Sequence, residues 1–154
     1  MALAKEIEDK LIDDWPLEDC VCLKRKTIYR FFGFPEWAKK DEDYDIRLEA
    51  YRLLGWDERA KSDENWFIRL CAYVALGWDE VAKKDIDYQI RLRAYRALGW
   101  DEEAKRDKCC DIRLEAYQIL GFDESALLDS SKTINEAAIR FAKLKKKVEE
   151  LQKK

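Results

Sequence analysis

Residues 41–62 read DEDYDIRLEAYRLLGWDERAKS. The next three stretches of equal length, 63–84, 85–106 and 107–128, read DENWFIRLCAYVALGWDEVAKK, DIDYQIRLRAYRALGWDEEAKR and DKCCDIRLEAYQILGFDESALL. Working outward, 19–40 (DCVCLKRKTIYRFFGFPEWAKK) keeps Arg25, Tyr29, Gly33 and Ala38, and the beat fades after Asp129 with Ile134 and Ala138. All five glycines of the chain (Gly33, Gly55, Gly77, Gly99, Gly121) fall on this 22-residue period, as do Asp19, Asp41, Asp63, Asp85, Asp107 and Asp129. A strict period marks an array of one supersecondary unit, each copy too small to bury its own apolar face and therefore stacked on its neighbours.

Each unit reads as two helices. The first opens after Asp43, Asn65 or Asp87, whose side-chain oxygen can accept an orphan N–H, while Cys109 holds that column in the fourth copy and caps poorly. It runs through IRLxAYxxL and stops at glycine, the residue that tolerates positive φ. A shorter helix follows, with Asp57 and Glu58 in its first turn. At 100° per residue Ile46, Ala50, Leu53 and Leu54 share the expected core face, with Arg47 and Tyr51 on its edge and Leu48 on the far side. Trp56, Trp78, Trp100 and Phe122 are expected to plug the gap between helix layers. The expected fold class is thus all-α: a right-handed α-solenoid of about five 22-residue two-helix repeats (19–40, 41–62, 63–84, 85–106, 107–128) with helical caps. Neighbours about 8–10 Å apart would give a rod or shallow arc about 50 Å long.

The ends read as caps. Residues 1–18 contain an amphipathic segment with Leu3, Ile7 and Leu11 on one face, ending before Pro16. Residues 130–154 form a second amphipathic helix, opened by the capping box Thr133-x-x-Glu136. There Ile134, Ala137, Phe141, Leu144, Val148 and Leu151 alternate three and four apart, a short heptad seam suited to docking on the last repeat or to a homodimer.

A 154-residue chain with 47% hydrophobic, 12% aromatic and 41% charged residues supports a folded core under a densely charged surface. The net charge of −3 divides unevenly, +5 from Lys132 onward and −8 before it. An acidic array is a poor general phosphate binder, so nucleic acid is an unfavoured partner. The five cysteines (Cys20, Cys22, Cys71, Cys109, Cys110) have no CxxC spacing and there is no histidine, so no metal site is expected and reduced thiols fit a cytoplasmic setting. No apolar run approaches a membrane span. Phosphate loops and Ser/Cys–His pairs are absent from the sequence, so an enzyme is not expected.

Asp41, Asp63, Asp85 and Asp107 recur in register with Arg47, Arg69, Arg91 and Arg113, close enough for a bidentate ladder along the stack. The string D-x-D-x-x-I-R-L-x-A-Y-x-x-L-G resembles HEAT-like repeats and is similar to the leucine-rich-variant repeats. The resemblance covers 41–128 well and 19–40 in part, and it implies that these Asp and Arg residues pair structurally. The variant family can carry an iron–sulfur cluster, but Cys20-x-Cys22 and Cys109-Cys110 lack such spacing, so no cofactor is expected.

In an array, columns that vary are free for recognition. The columns of Asp45, Glu49 and Arg52 read Phe67, Cys71, Val74 in the next copy, then Gln89, Arg93, Arg96, then Asp111, Glu115, Gln118. The second copy puts three apolar groups where its neighbours carry charge, and Val81 and Ile86 add to the anomaly. Phe67, Cys71 and Val74, framed by Arg52, Arg93 and Arg96, form the candidate partner-binding site. The expected function is non-enzymatic: an adaptor or inhibitor that binds another protein, with homodimerisation through the apolar patch or the C-terminal helix as variants. The alternative is a nucleic-acid role, by direct binding or as an acidic mimic that blocks a nucleic-acid enzyme.

Overall fold

The computed structural model describes Lys10 and residues 21–152, with the side chains of 21–24 excluded. The segment 1–18, Asp19 and Cys20 lie outside the described residues, Lys10 aside. Described residues are helical or irregular, with no strand. The α-helices are α1 (Val21–Phe32), α2 (Tyr44–Leu54), α3 (Trp66–Leu76), α4 (Tyr88–Leu98), α5 (Cys110–Leu120), α6 (Glu124–Leu127) and α7 (Lys132–Gln152). Between the longer helices stand 3-10 turns at Glu36–Lys40, Glu58–Ser62, Ala82–Lys84 and Ala104–Arg106. The second helix of the repeat is therefore a single tight turn, and only α6 has α geometry there.

Local chemistry sets these boundaries. The Asp43 side chain accepts from the N–H groups of Asp45 and Ile46, Asn65 from those of Phe67 and Ile68, and Asp87 from that of Gln89. Cys109 accepts none. At Gly99 the backbone takes φ 104° and ψ 149°, outside the left-handed helical well and in a region open essentially to glycine alone. A Cβ there would meet nothing within 4 Å, so the requirement is conformational. Helix α7 opens at Lys132, which puts Thr133 inside the first turn instead of at the cap. Asn135 Nδ2 instead donates to the Leu127 carbonyl at 2.7 Å.

The chain forms two compact units, 1–77 and 78–154. In the first, α2 packs on the turn at 36–40 and α3 on that at 58–62. One cluster joins Ile28, Tyr29, Phe34 and Ala38 to Ile46 and Ala50, and the next joins Leu48, Tyr51 and Ala60 to Ile68 and Ala72. In the second unit Tyr95 and Ala104 pack with Ile112 and Ala116, and Tyr117 and Ala126 with Ile134 and Ala138. Within each unit, then, the apolar clusters straddle adjacent repeats.

This corrects the one-face reading of the repeat helix. Leu48 is buried at 8% exposure, whereas Leu53 is 65% exposed and Leu54 37%. The cause is sandwiching: Ile46 and Ala50 face the preceding repeat while Leu48 and Tyr51 face the following one. The buried arc of α2 is accordingly about 200° wide at 100° per residue. Trp56 and Trp100 are partly buried, pack against the clusters that contain Ala60 and Ala104, and lie nearly parallel to the Tyr51 and Tyr95 rings with centroids 5.4 and 5.5 Å apart.

Two substitutions distinguish these readings. Leu48→Ala should destabilise by about 2–5 kcal/mol and Leu53→Ala by less than about 0.5, measured by urea denaturation. Gly99→Ala should cost about 1–3 kcal/mol through backbone strain.

Candidate partner-binding surface

The Asp–Arg columns build a clamp. Arg47 is buried, and its Nε and Nη2 donate to the two carboxylate oxygens of Asp63, both at 2.9 Å. Its Nη1 donates to the carbonyls of Asp41 at 2.8 Å and Glu42 at 3.0 Å. Arg91 binds Asp107 and Arg113 binds Asp129 through the same fork, every bond at 2.8 Å. Arg25 meets Asp41 at 3.2 Å, and Arg69 donates to the carbonyls of Asp63 and Glu64. Each carboxylate also fastens its own loop: Asp41, Asp63, Asp85 and Asp107 accept from the N–H two residues on, at 2.7–2.9 Å. Hydrogen bonds from the guanidinium of Arg113 hold the Asp129 carboxyl below its ordinary range.

A second set of pairs joins the turns. Lys39 Nζ stands 5.4 Å from the Tyr51 ring centre and 3.2 Å from Asp57. Lys83 and Lys105 repeat the geometry over Tyr95 and Tyr117, pairing with Asp101 at 2.9 Å and Asp123 at 2.8 Å. Asp57 stands at the helix start expected from the sequence, accepting from the Arg59 N–H at 3.0 Å, and the lysine contact is a second role not included in that expectation. The constant spacing of Lys39, Lys61, Lys83 and Lys105 was the available signal. Asp57 is lowered to about 2, chiefly by hydrogen bonds from Arg59 and then Lys39. Asp123 is lowered to about 2 by Lys105 and Ser125.

These groups are occupied by one another. Among the described residues no group of three or more His, Cys, Asp or Glu side chains can hold a metal, and no described helix is long and apolar enough to cross a membrane.

The outer face carries a third pattern. In the first unit Arg30 donates through Nε and Nη2 to Glu49, both at 3.2 Å, and Lys26 joins at 3.5 Å. In the second unit Arg96 binds Glu115 in the same way at 2.9 and 2.8 Å. Arginine and glutamate stand 19 residues apart in both. The equivalent of these pairs at Arg52 is Cys71, and Arg52 makes no ion pair among the described residues. Burial pushes the Cys71 thiol up, and the Arg52 charge acts on it in the opposite sense.

On α3, Phe67 and Val74 are exposed, Val74 at 66%, whereas Cys71 is partly buried against the Leu48–Tyr51–Ile68 cluster. Trp66, missed in the sequence reading, is 42% exposed and meets the Phe67 ring edge-on at 5.7 Å. The cue was two adjacent aromatics at one helix start. In the second unit Arg93 is exposed, Val81 and Ile86 are 69% and 90% exposed, and Arg96 is committed to Glu115. An open groove there is lined by Lys84, Arg106 and Lys108 beside Ile86 and Tyr88, with the carboxylates of Asp85 and Asp107 also on its wall, and none of these three cations makes an ion pair among the described residues.

No protein-family model, curated protein or solved structure matches the chain.

Breaking one partner of the clamp leaves an uncompensated buried charge. Arg47→Ala should therefore cost about 3–5 kcal/mol, and Arg47→Met with Asp63→Leu markedly less, by chemical denaturation. The depressed aspartates set a pH dependence. A carboxylate whose folded pKa lies below its unfolded value stabilises above about pH 4, and that contribution is lost as pH falls towards about 2. The urea midpoint should drop across this window, and Asp123→Asn, which keeps a capping oxygen, should shrink the drop.

Proposed function

We propose that the chain is a non-enzymatic protein-binding module, an adaptor or inhibitor, in which the two-helix repeats stack as a right-handed α-solenoid of HEAT-like type. A cytoplasmic setting fits this reading. The observation that carries it is the break in the outer-face pairs at α3. Where flanking helices present ion-paired charge, α3 presents Phe67 and Val74 on one helical face with Trp66 beside them, next to an unpaired Arg52. Aromatic groups and arginine dominate binding energy at protein interfaces, and a contiguous exposed apolar patch with a charged rim is their usual mark. Cys71 shapes the floor of this surface and Arg52 supplies its charge. Arg93 and Arg96, the other basic residues of this reading, lie in the second unit, Arg93 exposed and Arg96 paired with Glu115.

The test is co-precipitation from a source lysate. Phe67→Asp with Val74→Asp should remove the specific co-precipitating partner while circular dichroism stays at the wild-type value. If that double variant unfolds, the residues are core and the surface is lost. The groove with Lys84, Arg106 and Lys108 favours the second reading, engagement of nucleic acid. A complex through the α3 patch should tolerate 0.5 M salt, whereas phosphate binding should weaken by orders of magnitude over that range.

A further inference from the structure

Helix α7 is docked at one end only. Ile134 and Ala138 are buried against Tyr117 and Ala126, and the Phe141 ring meets Phe122 at 5.5 Å. Every described residue after Phe141 is exposed. Phe141, Leu144, Val148 and Leu151 nevertheless continue the heptad spacing, at 44%, 63%, 51% and 62% exposure. At 100° per residue these four occupy an arc of about 80°, a seam of coiled-coil width, narrower than the broad apolar face of helices that lie in a lipid surface.

The flanks of this seam carry one sign of charge. Arg140 and Lys147 border one side and Lys145 the other, with Gln152 the remaining flanking group. Glu149 and Glu150 fall on the outer face. None of the three flanking cations makes an ion pair among the described residues. A second copy of α7 is a poor occupant. Parallel pairing sets Arg140 against Lys145 of the other helix, antiparallel pairing again matches basic flank with basic flank, and the seam is too short to offset this.

We infer that the exposed half of α7 is a docking site for an acidic amphipathic helix of another protein, whose apolar stripe completes the seam and whose Glu or Asp residues pair with Arg140, Lys145 and Lys147. The surface lies on a different helix from the α3 patch and has its own partner chemistry.

Two fluorescent helical peptides with one Leu/Ile seam test it against the full chain, one carrying Glu and the other Lys at the seam-flanking positions. Anisotropy titration at low salt should show the acidic peptide binding at least about tenfold tighter, with the preference shrinking in 0.5 M NaCl. Lys145→Glu with Lys147→Glu should reverse the preference. Leu144→Asp with Val148→Asp should abolish binding of both peptides at unchanged helicity. Failure of both peptides to bind, or equal affinity for them, overturns the inference. So does sedimentation showing self-association lost with Leu144→Asp, or tighter binding to phosphatidylserine vesicles than to the acidic peptide.

Discussion

The arginine six residues after each of Asp41, Asp63, Asp85 and Asp107 joins local structure to packing. A guanidinium offers five N–H donors in a fixed fork and keeps its charge when buried. In Arg47 that fork spans two carbonyls of its own helix-opening loop and both carboxylate oxygens of the following repeat. The carbonyl contact reaches back 6 residues and the carboxylate contact reaches forward 16, and together these spans make the 22-residue period. Any insertion between the two contacts would strand a buried charge, whose cost far exceeds that of lengthening an ordinary surface loop. The regularity of the sequence is thus a consequence of hydrogen-bond geometry, and lysine, a point donor, could not hold both ends.

The lysine–tyrosine–aspartate contacts bind the turns in a comparable way with different chemistry. Lys105 is nearly buried, with its ammonium against the Tyr117 ring and paired with Asp123 of the next turn, and Phe122 covers that ring at 5.8 Å. The stretch GWDExAK recurs in the three copies at 55–61, 77–83 and 99–105 because four of its residues serve one assembly: glycine turns the chain, the aromatic stacks on tyrosine, and aspartate and lysine reach opposite neighbours. Such sharing leaves few constant residues free for chemistry.

Much of this was legible in the residues. The caps at Asp43, Asn65 and Asp87, the glycine stops and the seam of α7 follow from local rules that need no neighbours. The burial of Leu48 and the exposure of Leu53 do not, because a single amphipathic face presumes one packing partner and a repeat helix has two. Lys39 escaped for a related reason: a lysine at the end of a short helix normally keeps its charge in water, and here tyrosine and aspartate from the next repeat cover it. The commitment of Arg96 to Glu115 also needed three dimensions, although the 19-residue spacing it shares with Arg30 and Glu49 is written in the sequence. The α3 anomaly was visible because disagreement among copies stands out against a strict period, while Trp66 hid in a column where the copies on either side, Tyr44 and Tyr88, are aromatic too.

Energetics bear on what that anomaly is for. An exposed arginine–glutamate pair contributes between zero and about 1 kcal/mol, so placing Cys71 opposite Arg52 costs the fold little. What α3 carries beside it contributes little to stability either: Val74, at 66% exposure, gains only a small part of the transfer free energy of a buried valine. Phe67 and Trp66 meet edge-on at the surface and both stay exposed. A repeat designed for stability alone would keep the paired charges found on its neighbours. The apolar face of α3 is therefore a place where the sequence repeat departs from the paired-charge pattern of its neighbours without stabilising itself.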